Sequence, residues 1–257
     1  MNDKNSREIM AEWLQRSIVV LLISATLILV IAQYTDLDMT MASWYYDPLM
    51  QKFPWDQTWF GKRLMHGYVK NVLVWFGYAL ILTTLVDLVF SLRFSVAQRA
   101  RVRVLALAAV LEPMVVVSIK HRSALHCPWG VEDFGGGTPY LRLLSAVPQG
   151  WPAGHCFPAG HASAAMWLSA LAVLWLPHNP RRALMVFLGG LAAGGTLGWV
   201  QQMRGQHFFT HTLATAWLSS VVVLILFAAF SRQLCSTESG NTTGLRWRWL
   251  KPAFLRG

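Results

Sequence analysis

Six of the eight histidines fall in two stretches of the chain, His121, His126, His155 and His161 in the first and His207 and His211 in the second. His66 and His178 lie elsewhere. A lone loop histidine is ordinarily just solvated, but this gathering has cations and a glycine turn beside it. Three segments carry it: Lys120-His-Arg-Ser-Ala-Leu-His-Cys-Pro128-Trp129, His155-Cys-Phe-Pro158-Ala-Gly160-His161-Ala-Ser163, and Arg204-Gly-Gln-His207-Phe-Phe-Thr-His211. Together they supply the parts of phosphoryl transfer. Cations hold an anionic phosphoryl group, a glycine-bearing turn at a helix start offers free N–H groups to phosphate oxygens, and two histidines serve as nucleophile and acid.

Elements must bring these segments together, and composition says what kind. The 257 residues are 54% hydrophobic and 13% charged with a mean hydropathy of +0.40, against about 25% charged in an ordinary soluble domain. That excludes a soluble enzyme and a disordered chain. A net charge of +10 would point to nucleic acid in a water-soluble protein, but lipid is the better partner here. A helix crosses the hydrocarbon core with roughly 20 mostly apolar residues. Six such runs occur, at 17–33, 72–92, 102–119, 162–177, 183–200 and 212–230, the fourth of them short. The expected fold is therefore all-α, an integral membrane protein of six transmembrane helices with extracytoplasmic catalytic loops. It forms a single membrane domain over 1–257, with an aromatic-rich interfacial loop at 34–71, a helical core at 72–230 and a basic cytoplasmic tail at 231–257. The polar start lacks a small-residue cleavage site and is read as retained.

Cytoplasmic loops collect Lys and Arg. Fourteen of the 22 basic residues lie in the N-terminus, the second and fourth loops and the tail, which puts both termini in the cytoplasm and the histidine loops outside. The loop at 34–71 holds Trp44, Tyr45, Tyr46, Phe53, Trp55, Trp59, Phe60 and Tyr68, fitting either an interfacial helix or a folded cap. Asp87 and Glu112 lie in apolar runs, where a charge is costly; an interhelical bond at a kink accounts for both better than a ligand does. Gly190, Gly194 and Gly198 make a smooth stripe suited to close helix packing. Leu245-Arg-Trp-Arg-Trp-Leu-Lys251 suits anionic inner-leaflet lipid. Cys127 and Cys156, each following a histidine, fit a disulfide in an oxidising compartment or, less well, a zinc site with their histidines, although the spacing matches no familiar zinc pattern.

The order and spacing of the three segments resemble the membrane branch of the type 2 phosphatidic acid phosphatase superfamily. Its pattern is Lys, six residues, Arg-Pro; then Pro-Ser-Gly-His; then Ser-Arg, five residues, His, three residues, Asp. Lys120 and Pro128 match the first element, Pro158, Gly160 and His161 the second, and His207 the third. The chain is also similar to a subgroup with His-Cys-Pro-Trp and Arg-Gly-x-His-Phe motifs. It departs from the pattern at Cys127 for arginine, Ala159 for serine, Gln201 for arginine and His211 for aspartate. Arg122 and Arg204 are the candidates to replace the lost cations.

The resemblance implies a metal-independent hydrolase of a membrane lipid phosphate or pyrophosphate, with no cofactor and no nucleic-acid partner. His207 would attack phosphorus, His161 would protonate the leaving group, and His211 would orient His207. Lys120, Arg122, Gly160 and Arg204 would hold the phosphoryl oxygens. The localisation implied is a bacterial inner membrane with a periplasmic site. A lipid phosphotransferase and a catalytically degenerate lipid-binding relative are the alternatives.

Overall fold

A computed structural model of the chain describes residues 3–147 and 149–236. Arg246, Arg248, Lys251, Arg256 and the aromatic-basic segment around them lie outside the described residues. The elements, in order, are α1 (Asp3–Tyr34), α2 (Leu37–Ser43), α3 (Lys70–Phe90), α4 (Val96–Lys120), α5 (Gly160–Met166), α6 (Pro180–Met203) and α7 (Phe209–Leu234). A π-helical stretch at Trp59–Val69 runs directly into α3, and a 3₁₀ stretch at Trp167–Leu174 continues α5. Two isolated bridges, Asp47 with Lys52 and Val131 with Thr138, are the only β pairing among the described residues.

Among the described residues, five helices are long and apolar enough to cross a membrane: Lys4–Tyr34, Trp59–Phe90, Val96–Lys120, Pro180–Met203 and Phe209–Leu234. The fourth apolar run is the shorter helix Gly160–Leu174. Four of these helices extend past both ends of their apolar runs, because apolar residues mark the hydrocarbon while the hydrogen-bonded spiral continues through polar residues into the headgroup layer. The exception, α3, extends only at its start and ends at Phe90, two residues inside its run, with Ser91 in the left-handed conformation. Local signals set several ends. Ser95 and Gln98 form a capping box at the start of α4, and Asn179 caps α6 with Pro180 at its first position, both ways of satisfying first-turn N–H groups. Ile18, Val19, Val20, Leu22, Leu85 and Val89 are exposed on α1 and α3. A contiguous apolar exterior of this kind is a lipid-facing surface.

The core lies where α4, α7, the 3₁₀ stretch and the start of α6 meet, around Val104, Ala108, Val173, Leu176, Val223 and Phe227. On α1, Trp13 packs against Phe187 and Phe227, and α7 returns a bond from Trp217 Nε1 to Leu21 O (2.9 Å). The glycine stripe holds α6 tight. A Cβ at Gly190 would stand 2.2 Å from Ser169 N, and one at Gly194 would meet Met166 Cγ at 2.1 Å. Asp87 is an ion-pair anchor at the end of α3, taking Arg99 Nε at 2.7 Å and Arg99 Nη2 at 3.1 Å. Glu112 is buried inside the bundle with the Ser219 hydroxyl of α7 as its polar neighbour.

The loop at 34–71 divides in two. Phe53 is buried with Ala42, Val131, Phe134 and Phe208 in a second apolar cluster, so this part is a folded cap over the histidine loops. Trp44, Trp55, Trp59 and Tyr68 stay exposed, as aromatic rings at a headgroup layer do.

Candidate active site

Backbone bonds knit the three histidine-bearing segments into one body. Gly154 N, His155 N and Cys156 N donate to Ala124 O, Ser123 O and Leu125 O, each at 3.0 Å. Gly154 makes this approach feasible, since a Cβ there would lie 2.5 Å from Leu125 O. His126 Nε2 bonds Pro152 O at 3.0 Å. Further along, Trp129 N donates to Gly205 O (3.1 Å), and Ala159 N to His211 O (3.2 Å). Thr215 Oγ1 adds a bond to Ala159 O at 3.1 Å. Gly205 adopts φ +68°, and a Cβ on it would sit 2.3 Å from the Phe53 ring. The cap therefore presses on the loop that presents His207.

A disulfide joins Cys127 to Cys156 across a Cα separation of 5.3 Å. Cys156 is fully buried, and its sulfur lies 3.4 Å from His207 Nδ1. Among the described residues, Cys127, Cys156 and His207 are the one group whose ligand atoms stand close enough together to hold a metal ion.

The knitting places the histidines side by side. The His161 and His207 ring centroids are 6.3 Å apart and inclined at 54°, and those of His207 and His211 are 5.9 Å apart at 65°. No hydrogen bond joins the last two. Phe157 and Phe208 each pack edge-on against His211, with centroids at 5.4 Å. Lys120 reaches over from the end of α4, its Nζ 3.9 Å from where a Gly160 Cβ would be. His207 is 2% exposed. Burial first, then the charges of His211, Lys120 and His161, hold its imidazole well below the ordinary histidine range, so the ring is neutral near pH 7.

Two predicted phosphate ligands are placed differently. Arg204 is buried and committed to neighbours. Its Nη2 pairs with Asp56 Oδ1 at 2.9 Å and its Nη1 donates to Gln201 Oε1 at 3.0 Å, while Nε is buried without a partner. Arg122 is exposed on the turn after α4, and its side chain makes no hydrogen bond or ion pair among the described residues.

Asp38 and Asp56 are structural members of the site that motif reading missed, and Gln201, read only as a departure from the motif arginine, is a third as the acceptor of Arg204. Asp56 accepts from both Arg204 and Gln206 Nε2 (3.2 Å). Asp38 is buried and accepts from the N–H (2.9 Å) and the hydroxyl of Thr210, beside His211. The one clue to Asp38 was indirect. Phe208, at the cap position of α7, has no side-chain oxygen for the first-turn N–H groups, so a cap had to come from elsewhere.

Residues 101–235 match the PAP2 superfamily, more than half of the chain, and the protein belongs to that family. Membership brings phosphatase- or phosphotransferase-type chemistry on phosphate esters, and a hydrolase within that range. Searches of curated proteins and of solved structures each returned no significant match.

Proposed function

We propose that the protein is a metal-independent phosphatase of a membrane lipid phosphate or pyrophosphate, working through a phosphohistidine on His207. The observation that carries this reading is the 6.3 Å between the His161 and His207 rings. The two rings thus border one site, close enough for a nucleophile and an acid to act on the same phosphate ester.

His207, neutral because buried, attacks phosphorus. His161 gives its proton to the departing oxygen, then takes one from the water that hydrolyses the intermediate. Lys120 and the first N–H groups of α5, at Gly160 and His161, face the equatorial oxygens, where most transition-state stabilisation resides. Arg204 adds positive charge behind His207 and keeps its Nε donor for an oxygen. Arg122 stands at the rim and meets the incoming anion.

The lipid part of the assignment rests on an apolar groove of about 320 Å³ between α3, α4 and α5, lined by Gly77, Tyr78, Pro113, Val117, Gly160 and Trp167. Gly160 belongs to both groove and site, so a hydrocarbon chain lying in the groove delivers its headgroup to Lys120. Six crossings, with the short Gly160–Leu174 helix as the fourth, would leave both termini on one side, and the excess of basic residues supports the cytoplasm for that side; on this reading the histidines face outward from a bacterial inner membrane.

The test is phosphate release by purified protein from a panel of phosphorylated lipids. Wild type releases phosphate and carries acid-labile label on His207, whereas His207→Ala does neither. Full activity in the alanine variant removes His207 as nucleophile, and a phosphorylated acceptor without free phosphate identifies transfer.

A further inference from the structure

Opening the Cys127–Cys156 bond leaves three ligand atoms in one place. In the oxidised chain the two bonded sulfurs and a His207 ring nitrogen lie within 4.8 Å of one another, so on reduction the sulfurs need only part to the spacing of two ligands on one ion. Two thiolates and an imidazole are a donor set for zinc and other thiophilic ions, which take sulfur at about 2.3 Å and nitrogen at about 2.0 Å. We propose that reduction of this disulfide creates a binding site for a thiophilic divalent ion of the zinc class, held by Cys127, Cys156 and His207. The site stands on this geometry alone. Its consequence, that a metal-bound His207 is withheld from phosphorus, rests on the phosphatase reading.

Reduction does not scatter the ligands, because the bonds that gather them contain no sulfur. Cys156 N stays on Leu125 O, Trp129 N ties the Cys127 segment to Gly205 O, and Ala159 N holds to His211 O. Cys156 and His207 are buried while Cys127 is half-buried, so an ion enters from the Cys127 side. Charge makes the thiolates necessary. Lys120 borders the same site, its Nζ 3.9 Å from where a Gly160 Cβ would be, and a dication on the imidazole alone would be repelled by that cation. Two thiolates cancel the dication, so the oxidised protein is a poor site and the reduced one a good site.

The chemistry balances. A dithiol reductant breaks the S–S bond, giving two electrons and two protons and becoming a disulfide itself. The two cysteine thiols then lose their protons to solvent as they ligate the ion. His207 binds as neutral imidazole, and water completes the fourth position.

The experiment uses the full chain in detergent micelles, oxidised or reduced with the reductant removed, and the probes are Zn²⁺ and Co²⁺. One zinc per reduced chain should survive desalting, Co²⁺ should give a thiolate charge-transfer band, and the oxidised protein should show neither. Cys127→Ser and Cys156→Ser should lose the band. Loss of a ligand's outer partner already costs about 10–100-fold in metal affinity, so His207→Gln should cost at least as much. Equal zinc in oxidised and reduced protein, unchanged binding by His207→Gln, or loss of the circular dichroism of the fold on reduction each overturns the proposal. Zinc should also stop phosphate release by the reduced protein and spare the oxidised form. If neither form acts on any lipid phosphate, the phosphatase reading falls while the metal measurements still decide the site.

Discussion

Asp38 caps a helix far along the chain, accepting the N–H of Thr210, 172 residues later, at 2.9 Å and the Thr210 hydroxyl as well. The carboxylate satisfies a first-turn donor of α7 and places negative charge at the positive end of its dipole. It thereby fixes the entry of the helix that carries His211 and follows His207. Asp38→Ala leaves a buried N–H without a partner, a loss of about 1–3 kcal/mol. Thermal unfolding in detergent should show that loss. Asp38→Asn, which retains one acceptor, should lose less.

The Asp56–Arg204 pair ties the cap to the loop before His207. Arg204 is the more buried partner, and Asp56 is 29% exposed. A hydrogen bond to a charged group at such a position contributes about 1.5–3 kcal/mol. Asp56→Asn should reduce stability by part of that and lower phosphate release by displacing the Arg204 guanidinium. A double-mutant cycle with Arg204→Gln should give a clear coupling energy; simple additivity would separate the two residues.

Gly205→Ala should be more disruptive than its size implies. It places a side chain at φ +68° and 2.3 Å from the Phe53 ring. Strain and overlap together should cost more than 1 kcal/mol and misplace His207, so phosphate release should fall further than stability does. Shrinking Phe53 to alanine in the same chain should recover only the part due to overlap, a difference read by comparing melting and activity of the single and double variants.

The buried His207 sets a pH dependence. Burial holds its folded pKa well below the ordinary histidine value of about 6.5, so the neutral nucleophile persists as pH falls through 6.5. The acid limb of kcat/KM due to this residue should lie well under that value. The same depression means that the unfolded chain binds more protons below pH 6.5. The stability linked to His207 is present above that pH and is lost as pH falls towards the folded value. His211→Asp, which brings a carboxylate beside His207, should retain or raise phosphate release and move the acid limb upward. An unmoved limb would show that residue 211 does not act on His207.

Much of this was legible in the chain. The lipid environment, the helices and the meeting of His161, His207 and Lys120 follow from apolar runs and the order of three short segments, because a membrane bundle leaves only its loop ends for polar chemistry. What escaped were contacts whose partners are far apart in sequence. Asp38 and Asp56 sit in an aromatic loop with no motif, and nothing local marks one as a helix cap and the other as the partner of Arg204. Arg204 reads as a phosphate ligand from its place before His207, and its partner Asp56, 148 residues away, is out of reach of that reading. The loop at 34–71 resisted a single description because its buried Phe53 and its exposed tryptophans obey different solvents.

The winding of the fourth apolar helix bears on how the site sits in lipid. Its seven α-helical and eight 3₁₀ residues rise about 1.5 and 2.0 Å each, which makes the element about 26 Å long; wound as α-helix throughout it would reach only about 22 Å. A hydrocarbon core is about 30 Å thick, so the tighter spiral works as an extension that recovers half of the shortfall. In the proposed six-crossing arrangement the remaining mismatch would draw the adjoining leaflet inward around Gly160 and His161. A lipid headgroup would then descend only a short way to meet the histidines, and bilayer thickness would become a variable of the reaction.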